Sequence, residues 1–180
     1  RFLSAEVRDG QWIARCERMR THEPFEIRAR ALVNAAGPWV ERVLRSLPAE
    51  QVDAQVRLVK DSHIAVPRLF QGEHALMLQN PDGRIVFTIP YEQRYTLIGT
   101  TDVPFEEDPE RVATSPQEVA YLCDTVNSYF RTHVTPNDVR WTYAGVRPLS
   151  DDESASASKV TRDYRLELDR TGEHPVLLSV

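Results

Sequence analysis

The chain has 180 residues, with 22 Lys and Arg against 27 Asp and Glu, for a net charge of −5. Its 41% hydrophobic and 27% charged residues are those of a globular protein with a real core, which excludes wholesale disorder. No run approaches the roughly 20 apolar residues that a spanning helix needs, and the acidic balance argues against nucleic acid as a partner. Cys16 and Cys123 are too few for a disulfide framework, lack metal-ligand spacing and suit a reducing compartment. The chain starts at Arg1 without Met or a targeting segment and stops in the apolar run Leu177–Val180, so it reads as a piece cut from a longer protein.

The N-terminal residues alternate as a hairpin does. Ala5–Arg8 leads into the turn pair Asp9-Gly10, and Gln11–Cys16 leads out. Phe25–Asn34 reads as a third strand whose second half is continuously apolar, as in a buried sheet. It stops at Ala35-Ala36-Gly37-Pro38, and Trp39–Arg45 follows as a short amphipathic helix.

From Val56 the character changes to closely spaced strands. Val56–Lys60, His63–Val66, Ala75–Gln79, Arg84–Pro90 and Tyr95–Thr100 predict an antiparallel meander, with Asn80-Pro81-Asp82-Gly83 as one of its turns. Ser115-Pro116-Gln117-Glu118 predicts a capped helix start, and Val119, Leu122, Cys123, Val126 and Phe130 carry that helix to about Arg131. Val139–Val146 returns to strand, 151–158 is a polar loop, and Tyr164–Leu168 and Val176–Val180 form two last strands around the turn 170–173.

Four segments can carry chemistry. Small residues at the junction Ala35-Ala36-Gly37-Pro38-Trp39 let backbone approach a cofactor pyrophosphate, although a tight crossover turn without a ligand is the slightly better explanation of them. His63, in Lys60-Asp61-Ser62-His63, titrates nearest neutrality and can move a proton, although a lone His at a strand end is more often structural. Thr100, Thr101 and Asp102 offer two hydroxyls and a carboxylate to a ligand, or form an Asx-type turn. Arg147 ends an apolar strand, where an unpaired charge is costly, so it needs a partner; Arg162 can pair with its neighbour Asp163. Twenty of the 22 basic residues are Arg, so position carries the argument and abundance does not. No dinucleotide fingerprint, phosphate-binding loop, nucleophile elbow or Cys/His cluster occurs, and no metal site is expected.

Taken together, the segments resemble the FAD-dependent glycerol-3-phosphate dehydrogenases, the aerobic respiratory-chain enzymes of bacteria and mitochondria. The matching stretches are Leu32–Val40, Val56–Ile64 with Val66-Pro67-Arg68, Leu78–Asn80, Gly83–Phe87, Ile98–Val103, Trp141–Leu149, Asp151–Ser154, Thr161–Tyr164 and Leu177–Val180. They run in order through nearly the whole chain.

The resemblance implies an α+β fold: an antiparallel or mixed sheet substrate domain with helices, inserted in a D-amino-acid-oxidase-like FAD-binding fold whose Rossmann core is mostly absent here. On that template 1–40 closes a segment of the FAD domain, 41–55 is a connecting helix and linker, 56–146 is the substrate domain and 147–180 returns toward the FAD domain. It also implies roles. Arg147 and Arg162 hold the substrate phosphate, and His63 is the base for the C2 hydroxyl. Ala35, Ala36, Gly37 and Trp39 lie along FAD, with Thr100, Thr101 and Asp102 close to the active site and its cofactor. The family reads Lys-Gly-Ser-His where this chain has Asp61 in place of Gly, which bears on the geometry of His63 and, through an added carboxylate, on anion binding.

The expected activity of the parent protein is oxidation of sn-glycerol 3-phosphate to dihydroxyacetone phosphate. Electrons would pass through FAD to a quinone, at the cytoplasmic face of the inner membrane, by a peripheral protein that can form a homodimer. A flavin oxidoreductase of the same fold acting on another hydroxy or amino acid is the alternative. For the 180 residues alone, a non-catalytic binding module that holds FAD weakly is the expectation.

Overall fold

The computed structural model describes residues 1–48, 56–150, 163–170 and 175–180, apart from the side chain of Ser150. The predicted polar loop 151–158, Arg162 with its neighbour Thr161, the linker 49–55 and most of the last turn, 171–174, lie outside the described residues. The chain divides into two compact units. One takes in the chain up to Val56, returns at Pro148 and is completed by the C-terminal strands; the other is Arg57–Arg147.

In the first unit, β1 (Phe2–Arg8) and β2 (Gln11–Glu17) form the predicted hairpin. Asp9 and Gly10 both take positive φ, 52° and 69°, the conformation that a two-residue turn between right-twisting strands requires. β3 (Pro24–Ala29) pairs antiparallel with β2.

The single third strand of the sequence reading divides in two. β4 (Ala31–Asn34) leaves β3 and joins a different sheet, pairing in parallel with β12 (Val176–Ser179), which pairs on its other side with β11 (Glu167–Asp169). The change from an alternating to a continuously apolar pattern marks that switch of sheet. β11 is shorter than the predicted Tyr164–Leu168.

A 3₁₀ turn over Gly37–Trp39 and then α1 (Val40–Arg45) follow β4. Trp12, Ala5, Val40, Leu44, Leu47 and Leu177 make this unit's core. The indole of Trp12 is fully buried, and its Nε1–H donates to the carbonyls of Pro175 and Val176 at 3.1 Å. One side chain thus supplies apolar area and satisfies the polar group that comes with it.

The second unit is built on one sheet, with strand order β10 (Trp141–Ser150), β5 (Val56–Pro67), β8 (Tyr95–Gly99), β7 (Ile85–Tyr91), β6 (Leu76–Gln79), and with the short β9 (Val103–Pro104) against β5. β5 (Val56–Pro67) is a single strand of 12 residues, where the sequence suggested two pieces. β6 (Leu76–Gln79), β7 (Ile85–Tyr91) and β8 (Tyr95–Gly99) form the predicted antiparallel meander, and β8 pairs with β5. The turn before β7 has Gly83 at φ 84°, with its N–H bonded to the Asn80 carbonyl at 3.0 Å.

α2 (Pro116–Asn127) starts where predicted, on a capping box between Ser115 and Glu118. It ends four residues before Arg131. Asn127 turns its side chain onto the Val134 backbone at both N–H and C=O, and this stops the helix. Leu122, Cys123 and Val126 pack against Ile64, Val66, Leu78, Val86 and Ile98, and cover one face of the sheet. β10 (Trp141–Ser150) runs past the expected end at Val146 and carries Arg147 within the strand.

Candidate functional site

Strand alternation sets the site. Ile64 points into the core under α2, so its neighbour His63 takes the other face. The antiparallel register places His63 opposite Gly99, Gly99 opposite Phe87, and Phe87 opposite Met77. A Cβ at position 99 would overlap the His63 ring, so glycine is what lets the imidazole lie across β8. Tyr143 of β10 stacks on the same ring, with centroids 4.7 Å apart and planes 3° from parallel.

Burial favours the neutral form of the imidazole. Burial lowers its pKa below the ordinary 6.5; the Asp61 carboxylate raises it and the Arg147 guanidinium lowers it. Nδ1 is buried and has no hydrogen-bond partner among the described residues. A neutral imidazole with an unused ring nitrogen is equipped to accept a proton.

Asp61 is extended backbone within β5 and is absent from the positive-φ positions, so replacing Gly there imposes no left-handed strain. Its consequence is electrostatic. One carboxylate oxygen, Oδ2, pairs with Nη2 of Arg147, and the other, Oδ1, accepts from the Thr100 hydroxyl at 2.6 Å. Arg147 therefore has the partner that its position demanded.

Beneath these residues lies a polar network that sequence reasoning saw only as a helix cap. Oε1 of Glu118 accepts from the hydroxyls of Ser62 and Thr101, both at 2.9 Å. Oε2 accepts from Ser115 through its N–H at 2.8 Å and its hydroxyl at 2.7 Å, and pairs with Lys60 Nζ at 2.7 Å. The Ser62 N–H in turn donates to the Thr101 hydroxyl at 3.2 Å. Burial pushes the Glu118 pKa up, but the donors from Lys60, Ser115 and Ser62 prevail and hold it at about 2.

The three neighbours at the end of β8 thus face different ways. Thr100 reaches Asp61, Thr101 is fully buried in the Glu118 network, and Asp102 takes positive φ, 48°. His63, Asp61, Thr100 and Arg147 are brought together. Arg162 lies outside the described residues. Tyr143, Gly99 and Glu118 were missed. Only Glu118 left a sequence signal, in the Ser115-x-x-Glu118 box.

The junction Ala35–Trp39 belongs to the first unit. Gly37 takes φ 56°, a conformation open to glycine at little cost. The Asn34 amide donates to the Val40 carbonyl at 3.0 Å, which ties the strand end to α1. Asn34 Oδ1, Trp39 Nε1 and, on the adjacent parallel strand, Ser179 Oγ are buried without partners among the described residues. Buried polar atoms are nearly always satisfied, so these three at the carboxyl ends of two parallel strands fit a polar cofactor.

The model of the FAD dependent oxidoreductase family matches residues 2–168. Glycerol-3-phosphate dehydrogenase of Pseudomonas aeruginosa is 48% identical over 180 residues, all of this chain and 35% of that protein. D-erythritol 1-phosphate dehydrogenase of Brucella abortus is 44% identical over 97% of the chain and 35% of its own length. The solved glycerol-3-phosphate dehydrogenase of Bacillus halodurans, complexed with FAD, superimposes with a TM-score of 0.80 at 25% identity, over 99% of this chain and 34% of that one. The chain spans about a third of the length of the curated relatives it matches. By fold and by sequence, the chain belongs to the family of FAD-dependent oxidoreductases.

Proposed function

We propose that the full-length protein is a flavoenzyme that oxidises the secondary alcohol of a polyol phosphate, with sn-glycerol 3-phosphate as the substrate. The observation that carries this reading is the placement, on neighbouring strands, of His63, whose neutral form burial favours, and the solvent-reached guanidinium of Arg147, whose side chain is 35% exposed. One offers a base to a hydroxyl, and the other offers planar donors to a phosphate. The high identity to a glycerol-3-phosphate dehydrogenase supports the substrate.

FAD, when bound, would supply the hydride acceptor. Asn34, Gly37, Trp39 and Ser179 are the residues here that would hold it, with Ala35 and Ala36 as small neighbours at the same turn. His63 takes the proton from the C2 hydroxyl. Tyr143 and Gly99 fix the plane of its ring. Arg147, joined by Arg162, holds the phosphate and so orients the carbon that is oxidised.

Electron delivery to a quinone, peripheral attachment at the cytoplasmic face of the inner membrane, and a homodimer belong to the same reading and rest on the family resemblance. No helix among the described residues is long and apolar enough to cross a membrane. A second substrate, D-erythritol 1-phosphate, is favoured by the Brucella abortus relative. A hydroxy or amino acid remains the rival class, and the 180 residues alone are expected to be inactive and to hold FAD weakly.

The test is anaerobic reduction of the full-length protein with its flavin bound. Rapid bleaching by sn-glycerol 3-phosphate, absent with glycerol or lactate, supports the reading. Bleaching by D-erythritol 1-phosphate alone selects the second substrate, and no bleaching by either overturns the polyol phosphate reading.

A further inference from the structure

If Arg147 takes the anionic group of the substrate, as proposed above, it does so from an arginine that is already engaged. Asp61 Oδ2 sits on its Nη2, and Oδ1 is fixed by the Thr100 hydroxyl at 2.6 Å. The Asp61 side chain is only 11% exposed, while that of Arg147 is 35% exposed. The carboxylate is thus the buried, well-held partner, and the guanidinium is the one that meets solvent.

We propose that Asp61 is an internal competitor for Arg147, an anion carried by the chain that any incoming anion must displace or share the arginine with. It thereby sets the affinity threshold of the site. A tethered carboxylate acts at high effective concentration, so a ligand binds Arg147 only in proportion to the time that Asp61 releases it. A ligand that shares the arginine meets a like charge instead. Where the carboxylate is displaced, affinity falls by a common factor for every anion. A monocarboxylate, with one charge and two oxygens, drops below useful affinity. A phosphate monoester, with up to two charges and three oxygens, stays above it. The ratio of the two affinities is set by charge and oxygen count at Arg147, and Asp61 sets the level at which the weaker anion no longer binds.

The experiment is isothermal titration of the full-length, flavin-loaded protein with inorganic phosphate and, separately, with glycolate. Asp61→Asn keeps the shape and the acceptor for Thr100 while removing the charge. Both probes are expected to bind about tenfold tighter to it, the scale of a part-exposed, hydrogen-bonded ion pair. Adding Arg147→Met is expected to abolish the gain. Asp61→Gly, checked by thermal melting, carries the same expectation if Asp61→Asn does not fold. If Asp61→Asn binds neither probe more tightly while Arg147→Met weakens phosphate binding, the competitor is disproved and the anion site stands. If Arg147→Met changes phosphate binding in neither background, the anion site itself is wrong and the competitor falls with it.

Discussion

His63 and Tyr143 stack face to face, 4.7 Å between centroids and 3° from parallel, across two strands of one sheet. The stack covers one side of the imidazole while β8 lies against it through Gly99. This arrangement buries the ring, and burial is what lowers its pKa. Tyr143→Ala should raise the His63 pKa toward 6.5 and slow flavin reduction by about tenfold through a looser ring. Tyr143→Phe should change neither. Removing the proposed base with His63→Asn should cost about 10²–10⁴ in the same rate. A histidine-labelled NMR titration beside stopped-flow reduction checks all three.

Gly99 has no tolerance for a side chain. Gly99→Ala places a methyl group inside the His63 ring position, and the ring must rotate out of the stack. The expected cost in stability is about 1–3 kcal/mol, as for overpacking elsewhere. The expected loss of activity is larger than that cost alone would suggest, because the proposed base is misplaced. Circular dichroism melts and reduction rates on one preparation separate the two effects.

The charges beside His63 act on it in opposite directions, which fixes the sign of two substitutions. Asp61 raises the imidazole pKa, so Asp61→Asn should lower it further below 6.5. Arg147 lowers it, so Arg147→Met should bring it up. Folding favours the neutral ring; protein stability is therefore complete above 6.5 and declines as pH falls below it toward the folded-state value. The histidine Cε1–H resonance followed between pH 4 and 8 reads out both shifts, and equal shifts of one sign in the two variants would contradict the assignment.

Glu118 is the anchor under the site, and its loss should be felt in the fold. Glu118→Ala leaves the half-buried Lys60 without its carboxylate and frees the Ser62 and Thr101 hydroxyls. A cost of about 3–5 kcal/mol is expected, the range for breaking a buried pair from one side. Its depressed pKa makes the contribution pH-dependent. It is fully present above the ordinary 4.5 and is lost as pH falls through about 2. Urea unfolding of wild type and variant at pH 7 and pH 3 should show the gap between them narrowing at the lower pH.

Much of this was legible from residue order. The Asp9-Gly10 hairpin, the meander up to Gly99 and the Ser115 cap each announce themselves by local chemistry, so the sheet and its helix follow from pattern alone. Arg147 announced its need for a partner by lying in an apolar strand. What stayed hidden depends on register. Nothing local distinguishes Gly99 from a strand-ending glycine, and its role appears only when β5 sets His63 opposite it. Tyr143 reads as one residue of an alternating strand until β10 is known to flank β5. Glu118 spent its sequence signal on the cap, and its second set of partners comes from strands far along the chain. The division of residues 25–34 between two sheets was hidden for the same reason, because the pairing partner of β4 is the last strand of the chain.

That pairing also orders events during synthesis. The first unit is discontinuous in sequence: the Trp12 indole bonds to the Val176 carbonyl, 164 positions along the chain. Until the ribosome has made Val176–Ser179, β4 has no β12 beside it and Leu177 is missing from the core around Trp12. The Arg57–Arg147 unit has all its strands by then. Contacts so distant in sequence form slowly, and domains tend to fold as their residues emerge. The inserted unit should therefore be protected from proteolysis on stalled nascent chains well before the hairpin at the N-terminus is locked. Substitutions at Trp12 or Leu177 should lower the yield of folded protein more than they slow the chemistry around His63.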